Sequence, residues 1–207
     1  MTRETVFLVD DDPDVLDAVS FLLSTGGYRV ETFDAPAVLL DQVTSEDAGC
    51  LVLDVRLPEM NGLELQDALR ARGIQMPIVF ITGHGDIPMA VKAVNAGALD
   101  FLEKPFDDDQ LLEIVAKGLE HDRERREQAA RYAAIEAALD SLTPRESEVM
   151  EEILRGKLNK IIAADLEMSV RTVEVHRARV LEKLGARNGS DMVRLVLSSE
   201  RYRDWSP

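Results

Sequence analysis

Four short, largely apolar stretches, each followed by a polar residue of a reactive kind, place the strongest constraint on this chain. They cover residues 6–9, 50–53, 78–81 and 100–103, and the residues that follow them are Asp10-Asp11, Asp54, Thr82 and Lys104. Short, continuously apolar stretches between helical patterns are typical of buried parallel strands. In an open parallel sheet, ligand sites form at the carboxyl ends of the strands. We therefore expect these polar groups to converge at one edge of a sheet.

Helical patterns alternate with five predicted strands over the first 122 residues. The strands lie at about 6–9, 29–33, 50–53, 78–81 and 99–102, and helical spacing of apolar residues is found at 15–23, 63–69, 89–94 and 106–119. Gly26-Gly27, Gly73 and Gly97 follow the first three of these helices, and glycine commonly ends a helix. This order predicts an α/β fold with a doubly wound, five-stranded parallel sheet and helices on both faces.

Charge is divided unevenly along the 207 residues, which suffice for one large or two small domains. The net charge of −15 at first argues against binding to nucleic acid. Residues 1–122, however, hold 8 Lys or Arg against 24 Asp or Glu, whereas residues 141–207 hold 12 against 11. The acidity therefore lies in the first segment, and the last segment remains compatible with DNA binding.

Composition also indicates the compartment. An apolar fraction of 45% is ordinary for a folded protein. Neither a secretory leader nor a stretch of membrane-spanning length is recognisable, so we expect a cytoplasmic protein that does not enter a membrane. The single cysteine, Cys50, excludes an intramolecular disulfide, and its place in a predicted buried strand indicates a core residue.

The groups expected at the sheet edge suit phosphoryl chemistry. Three clustered carboxylates, Asp10, Asp11 and Asp54, need a counter-charge, and a hard cation such as Mg²⁺ prefers oxygen ligands. The Asp54 carboxylate is then placed to attack a phosphoryl group and form an aspartyl phosphate. Thr82 and Lys104 are suited to hold the transferred oxygens.

The acidic cluster admits two other interpretations. In the first, the acidic residues only cap the first helix, which suits Asp12 and Asp14 but leaves Asp54 unexplained. In the second, the Asp10-x-Asp12 pattern after the first strand is that of a haloacid-dehalogenase-like phosphohydrolase, which is an enzyme. That alternative leaves Asp54 and the whole last segment unused.

Four motifs of the first segment resemble those of response-regulator receiver domains, which have a flavodoxin-like fold. They are Val9-Asp10-Asp11-Asp12, Asp54-Val55-Arg56-Leu57-Pro58, Thr82-Gly83-His84-Gly85-Asp86 and Phe101-Leu102-Glu103-Lys104-Pro105-Phe106. The resemblance implies that Asp54 is the phospho-acceptor. It further implies that the cofactor Mg²⁺ lies at Asp54, Asp11 and the backbone carbonyl of Arg56, with Asp10 acting mainly through metal-bound water.

The same resemblance assigns a switch. Thr82 and Lys104 contact the phosphoryl group, and Phe101 changes its rotamer on activation. The Lys104–Pro105 bond is expected to be cis, and X-Pro bonds are where a cis bond costs little. His84 is expected to be a loop residue. The protein would then be a phosphorylated switch with at most slow self-dephosphorylation, and not an enzyme.

The connector between the two segments lacks proline and glycine. Residues 120–142 are rich in charge and alanine, which favours a stiff helix over a flexible coil. Weak pairing of two such helices through Tyr132, Ile135 and Leu139 is one expectation. The basic residues of the connector, Arg123, Arg125 and Arg126, are balanced by acids and are expected to form a solvated face.

The last segment contains the start signals of several helices. Thr143 and Glu146 form a predicted capping box at the start of the first. Asn159 is the predicted N-cap of a short helix, and Ser169 is the predicted N-cap of the next one, which ends at Gly185. Two helices joined by a tight turn suggest a helix-turn-helix.

A helical wheel divides the helix over 170–184 into two faces. Val173, Val180 and Leu184 share the face that should pack inward. The other side offers small and polar groups for base edges and cations for phosphates. The predicted DNA-binding residues on this helix and the one before it are Lys160, Arg171, Thr172, Glu174, Val175, Ala178, Arg179 and Lys183. By itself, the wheel fits an ordinary solvated face equally well.

Several motifs of this segment resemble the LuxR-type four-helix DNA-binding module. They are Leu142-Thr143-Pro144-Arg145-Glu146, Asn159-Lys160-Ile161-Ile162-Ala163, Ser169, Thr172-Val173-Glu174-Val175-His176 and Lys183-Leu184-Gly185-Ala186. The whole chain accordingly resembles the NarL/FixJ family, and FixJ-like regulators in particular. This division gives a receiver domain at 1–122, a helical linker at 123–140 and a DNA-binding domain at 141–207. Glu174 departs from the Lys that many relatives carry, which leaves the base preference open.

The family resemblance implies a phosphorylation-dependent transcriptional regulator of a two-component system. A sensor histidine kinase would phosphorylate Asp54, and the chain would then form a homodimer through its fourth helix and fifth strand, with Val91 as a candidate contact. The dimer would bind double-stranded promoter DNA, and RNA polymerase is a further expected partner. The remaining alternative is a receiver that acts by protein binding and carries a degenerate DNA-binding module.

Overall fold

The chain folds into two compact units, residues 1–126 and 127–207. The computed structural model describes residues 5–83, 87–203 and 205, with the backbone alone for residues 87–89. His84, for which a loop position is predicted, lies outside the described residues.

Continuous apolar stretches build the sheet of the first unit. Its five parallel strands have the spatial order β2-β1-β3-β4-β5. They are β1 (Thr5–Val9), β2 (Arg29–Phe33), β3 (Gly49–Asp54), β4 (Ile78–Thr82) and β5 (Asp100–Glu103). The predicted doubly wound α/β fold is confirmed, and every strand begins and ends within one residue of its predicted bounds.

Five helices connect and follow these strands. They are α1 (Pro13–Thr25), α2 (Pro36–Gln42), α3 (Gly62–Ala71), α4 (Ile87–Asn95) and α5 (Asp108–Asp140). Asp12 is the N-cap of α1, as predicted, and its side chain accepts a hydrogen bond from the Asp14 amide at 2.9 Å. Helix α2 is absent from the predicted elements, because seven residues span about two turns and do not establish a helical period.

Alternating strand side chains divide the core of this unit into two clusters, one on each face of the sheet. Phe7, Val9, Leu51 and Leu53 belong to one cluster, and Val6, Leu8, Cys50 and Val52 belong to the other. Cys50 is fully buried, as predicted for a core residue. Burial, with a further contribution from the charge of Asp122, raises the pKa of its thiol to about 12. The thiol therefore stays protonated at neutral pH.

Helix α5 runs without a break for 33 residues, which confirms the predicted helical connector. The buried Asp122 carboxylate holds it to the start of β3, because it accepts hydrogen bonds from the Gly49 amide at 3.1 Å and from Arg125 at 2.6 Å. Arg126 donates to two backbone carbonyls of the loop before β3 at 3.0 Å. The prediction of a solvated basic face is therefore wrong for Arg125 and Arg126, which are half-buried, whereas Arg123 is exposed.

Four α-helices and the end of α5 enclose the core of the second unit. The new helices are α6 (Pro144–Leu154), α7 (Asn159–Asp165), α8 (Val170–Lys183) and α9 (Gly189–Leu197), and a 3-10 helix covers Glu200–Tyr202. Leu139 is only 4% exposed in this core, and Ile135 packs against it. Pairing of two chains through Ile135 and Leu139 is therefore a wrong prediction, since both side chains pack within their own unit. Tyr132 is 40% exposed.

Helix starts in the second unit follow the predictions with one exception. Thr143 and Glu146 form the predicted capping box of α6, and Ser169 caps α8. Asn159 is not an N-cap, because Leu158 holds that position and Asn159 is the first helical residue of α7. The side-chain oxygen of Asn159 instead accepts a hydrogen bond from a guanidinium group of α8 at 3.3 Å.

Candidate functional site

The carboxyl ends of four strands bring predicted polar residues together at one edge of the sheet. Asp10 directly follows β1, Asp54 ends β3, Thr82 ends β4 and Lys104 follows β5. Asp10, Asp54 and Thr82 are 2%, 6% and 0% exposed. The Lys104 amide donates a hydrogen bond to the Thr82 carbonyl at 2.8 Å. The structure thus places these four residues at the same edge.

Lys104 lies between two of the carboxylates. Its ammonium nitrogen is 2.5 Å from Asp10 Oδ2 and 3.4 Å from Asp54 Oδ1. The other oxygen of Asp54 accepts a hydrogen bond from the Arg56 amide at 2.9 Å. Burial raises the pKa of Asp54, the positive charge of Lys104 opposes this rise, and the negative charge of Asp10 adds to it. One cation thus faces two buried carboxylates, and negative charge is in excess.

A divalent cation would compensate this excess charge. Among the described residues, no three His, Cys, Asp or Glu side chains are grouped closely enough to form a metal site by themselves. Mg²⁺, however, commonly uses only one or two carboxylates and keeps several waters. Asp54, the exposed Asp11 and the backbone carbonyl of Arg56 are oxygen donors of the kind it prefers. The residues present therefore fit Mg²⁺.

Two residues outside the predicted set shape the backbone around Asp54. Asn61 opens α3 with a capping box, and the amide of the next residue, Gly62, donates to the Val55 carbonyl at 2.9 Å. A Cβ atom at Gly62 would lie 2.4 Å from the Asp54 carbonyl oxygen, so only glycine lets α3 begin this close to β3. The Asn-Gly pair is a recognisable turn signal in the sequence. Nothing in that signal shows which backbone the glycine approaches.

The two predicted switch residues have different surroundings. Thr82 is fully buried, whereas Phe101 is half-buried and packs against a core cluster on one face of the sheet. The Lys104–Pro105 peptide bond is cis, as predicted. Phe101 therefore borders both the core and the surface of the unit.

In the second unit, α8 has one buried and one exposed face, as the wheel predicts. Val173, Val180 and Leu184 are 0%, 0% and 7% exposed. The predicted contact residues Arg171, Thr172, Glu174, Val175, Ala178 and Arg179 are all exposed. The face of α8 that is predicted to contact DNA is therefore exposed and does not pack in the core.

The predicted cations of this surface fall into two groups. Lys160, Arg171 and Arg179 are exposed, and within the described part of the chain they have no ion-pair partner. Lys183 differs, because its ammonium nitrogen is 2.7 Å from the Glu146 carboxylate. The first group is available to an anionic partner, whereas Lys183 already has one within the unit.

Comparison with known proteins identifies a family for each of two parts of the chain. Residues 6–116 match the family model of the response regulator receiver domain, and residues 140–196 match that of bacterial regulatory proteins of the luxR family. The first match alone covers more than half of the chain. The chain belongs to the response-regulator family. It combines a receiver domain with a LuxR-type DNA-binding domain.

Relatives of this response regulator match it over nearly its full length. The response regulator protein TodT of Pseudomonas putida is 43% identical over 199 residues, which cover 96% of this chain and 86% of TodT. The transcriptional regulatory protein FixJ of Bradyrhizobium diazoefficiens is 39% identical over 203 residues, which cover 98% of this chain and 99% of FixJ. The structure of the response regulator StyR matches with a TM-score of 0.87 and 45% identity, over 94% of this chain and 98% of StyR. These matches confirm the predicted α/β receiver fold followed by a helical LuxR-type domain.

Family membership separates the predicted regulator from the predicted phosphohydrolase. The chain is homologous to transcriptional regulators of the FixJ type. The phosphohydrolase built on Asp10 and Asp12 receives no support from these comparisons, and Asp12 serves as the N-cap of α1. None of the helices in the described ranges combines the length and the apolar composition that a membrane span requires.

Proposed function

We propose that this response regulator is a phosphorylation-gated transcription factor of a two-component system, with Asp54 as its phospho-acceptor. The observation that carries the proposal is the position of Asp54 beside the Lys104 ammonium group and the buried Asp10 carboxylate. An Asp54 oxygen attacks the phosphorus of a phosphohistidine on a sensor histidine kinase. A phosphorus–oxygen bond forms, the phosphorus–nitrogen bond breaks, and the imidazole of the kinase leaves.

Two side chains hold the transferred group. The Lys104 ammonium group, now shared by two carboxylates, turns toward the new phosphoryl charge. The Thr82 hydroxyl donates to a phosphoryl oxygen. Both act by position and charge, so the geometry at the strand ends does most of the work.

The cofactor of this site is Mg²⁺. Its ligands would be Asp54, Asp11 and the backbone carbonyl of Arg56, with Asp10 acting mainly through metal-bound water. When bound, the cation supplies charge compensation for the phosphoryl oxygens. Self-dephosphorylation of Asp54 is at most slow, so the protein serves as a switch and not as an enzyme.

Phosphorylation is read out on the far side of the receiver. Thr82 moves toward the phosphoryl group, and Phe101 takes a new rotamer in response. The surface of α4 and β5 then becomes the interface of a homodimer. Val91 on α4 is 51% exposed and is a candidate contact in that interface.

The dimer presents two copies of α8 to a near-palindromic site in double-stranded promoter DNA. The proposed contacts are Lys160, Arg171, Thr172, Glu174, Val175, Ala178 and Arg179, all of them exposed. Arg171 and Arg179 contact bases or phosphates, and Glu174 accepts a hydrogen bond from a cytosine amino group. Lys160, near the amino terminus of α7, contacts a phosphate.

This function assigns a role to each segment. The receiver domain at 1–122 takes the phosphoryl group from the kinase, the helical linker at 123–140 connects it to the rest, and the DNA-binding domain at 141–207 binds the promoter. RNA polymerase is a further partner at the promoter. In this proposal the protein acts with these partners in the cytoplasm.

Selection of DNA by the full chain tests the function. The protein, incubated with Mg²⁺ and a small phosphodonor, selects duplexes from a random-sequence pool, with the Asp54→Asn variant as control. We expect the wild type to enrich a near-palindromic sequence and to bind it as a dimer, and Asp54→Asn to bind it weakly with or without the phosphodonor. Equal enrichment by Asp54→Asn would contradict phosphorylation gating. Failure to enrich any sequence would favour a receiver that acts by protein binding.

A further inference from the structure

An ion pair between the half-exposed Lys183 side chain and the buried Glu146 carboxylate ties the end of α8 to the rest of its unit. Lys183, in the last turn of α8, donates to Glu146 Oε2 and to the Ser141 carbonyl oxygen, both at 2.7 Å. Glu146 is 3% exposed, and the same Oε2 accepts a hydrogen bond from the Thr143 amide at 2.9 Å. The end of α5, the start of α6 and the end of α8 therefore meet at one pair of charges.

Lys183 is poorly placed to contact a DNA phosphate. A phosphate would have to draw the ammonium group away from Glu146, and this would leave an unpaired charge in the interior of the unit. Lys183 also lies twelve residues after Arg171, which is about 18 Å along the helix axis. Recognition helices contact base edges mainly through their amino-terminal residues, and Lys183 is at the opposite end.

We propose that Lys183 and Glu146 are positioning residues for DNA recognition and not DNA contacts. This inference rests on the proposed DNA-binding function. Apolar packing is not directional, so a helix held only by such contacts can roll by a fraction of a turn. The ion pair is directional, and it fixes the rotation of α8 at one end. With that rotation fixed, Arg171 and Glu174 point toward the base edges.

The two roles predict opposite effects of the Glu146→Gln substitution. If Lys183 contacts a phosphate, loss of the Glu146 charge releases the ammonium group and raises the affinity for any duplex. If the pair positions α8, the same substitution loosens the helix and lowers the affinity for the selected duplex alone. Glu146 is buried and negatively charged, so its substitution removes no contact with DNA.

Salt-dependent binding of the full chain separates these roles. Affinity is measured for the duplex that the wild type selects and for a scrambled duplex, over a range of salt concentrations. Lys160→Met is the matched control, because Lys160 is an exposed lysine on the same surface. Loss of a phosphate contact makes the negative slope of log affinity against log salt shallower by about one on both duplexes. We expect this result for Lys160→Met.

For Lys183→Met we expect a different pattern. The salt slope stays at the wild-type value, affinity for the selected duplex falls by about tenfold, and affinity for the scrambled duplex changes little. Glu146→Gln should match this pattern, and the double variant should lose no more than either single one. Lys183→Arg keeps the charge pair and should recover part of the specificity.

Folding is checked in every variant by the fluorescence of Trp205, which packs against the core of the second unit. If Lys183→Met does not fold, Glu146→Gln and Lys183→Arg carry the same test. The inference would be overturned if the salt slope of Lys183→Met were shallower by about one, or if Glu146→Gln gained affinity for both duplexes. Equal losses on both duplexes would also overturn it, since the pair would then only stabilise the fold. If the wild type selects no duplex, the proposed function fails, which is a separate result.

Discussion

A buried contact holds helix α5 to the sheet of the first unit, and removing this contact should lower the stability of the unit by a measurable amount. Asp122 is 2% exposed and accepts hydrogen bonds from the Gly49 amide at 3.1 Å and from Arg125 at 2.6 Å. Asp122→Ala leaves the buried Gly49 amide without this partner, which costs about 1–3 kcal/mol. Loss of the contact with Arg125, whose side chain is 31% exposed, adds about 0.5–1 kcal/mol. We expect the free energy of unfolding of the first unit to fall by about 1.5–4 kcal/mol.

Native-state hydrogen exchange reads this effect at the Gly49 amide itself. A loss of about 1.5–4 kcal/mol speeds its exchange about 10- to 900-fold when exchange follows opening of the unit. Trp205 fluorescence reports the second unit, so its urea transition should not move. Glu113→Gln is the matched control, because it breaks an exposed ion pair with Lys117 on the same helix and should leave Gly49 unchanged. A wild-type exchange rate at Gly49 in Asp122→Ala would refute this reasoning.

Three further predictions concern other buried positions. Hydrogen bonds, first of all that from Lys183, lower the pKa of Glu146 from 4.5 to about 2. The stability that this provides is therefore present above pH 4.5 and is lost as the pH falls toward 2. Urea titrations followed by Trp205 should show a smaller loss in Glu146→Gln than in the wild type; a loss remains in the variant because the pKa values of Glu152 and Asp191 in the same unit are also lowered. Burial raises the pKa of Asp54 above its ordinary 3.8, so the ionised carboxylate destabilises the fold at any pH above that raised pKa. Asp54→Asn should therefore have a higher free energy of unfolding than the wild type at pH 7 in urea titrations. This difference should shrink as the pH falls toward 3.8. Gly62→Ala should destabilise the first unit by about 1–3 kcal/mol in urea titrations, because the new methyl group meets a backbone carbonyl.

The sheet and the groups at its edge are predictable from the sequence because their signals are local. In β3 and β4 every residue is buried, so each strand appears as an unbroken apolar stretch. A parallel sheet then brings the carboxyl ends of its strands to one edge whatever the details of packing. Asp10, Asp54, Thr82 and Lys104 follow from that rule alone. Their roles come from the family resemblance and the proposed chemistry.

Contacts between distant residues are not predictable in this way. Asp122 and Gly49 are 73 residues apart, and Lys183 and Glu146 are 37 residues apart. In the sequence each of these carboxylates belongs to a helix rich in charge, and only the packing shows that both are buried. Asn159 illustrates a related limit, because a capping preference is worth about 1 kcal/mol and the bond to α8 competes with it.

Phosphoryl transfer to Asp54 is the most direct test of the central claim. The full chain is incubated with Mg²⁺ and a small phosphodonor, and the covalent phosphate is located by mass spectrometry. Asp12→Asn is the matched variant, because Asp12 caps α1 close to the site in the sequence. We predict a phosphoryl group on Asp54 that is lost in Asp54→Asn and kept in Asp12→Asn. A label that survives in Asp54→Asn and disappears in Asp12→Asn would contradict the assignment of Asp54 as the phospho-acceptor.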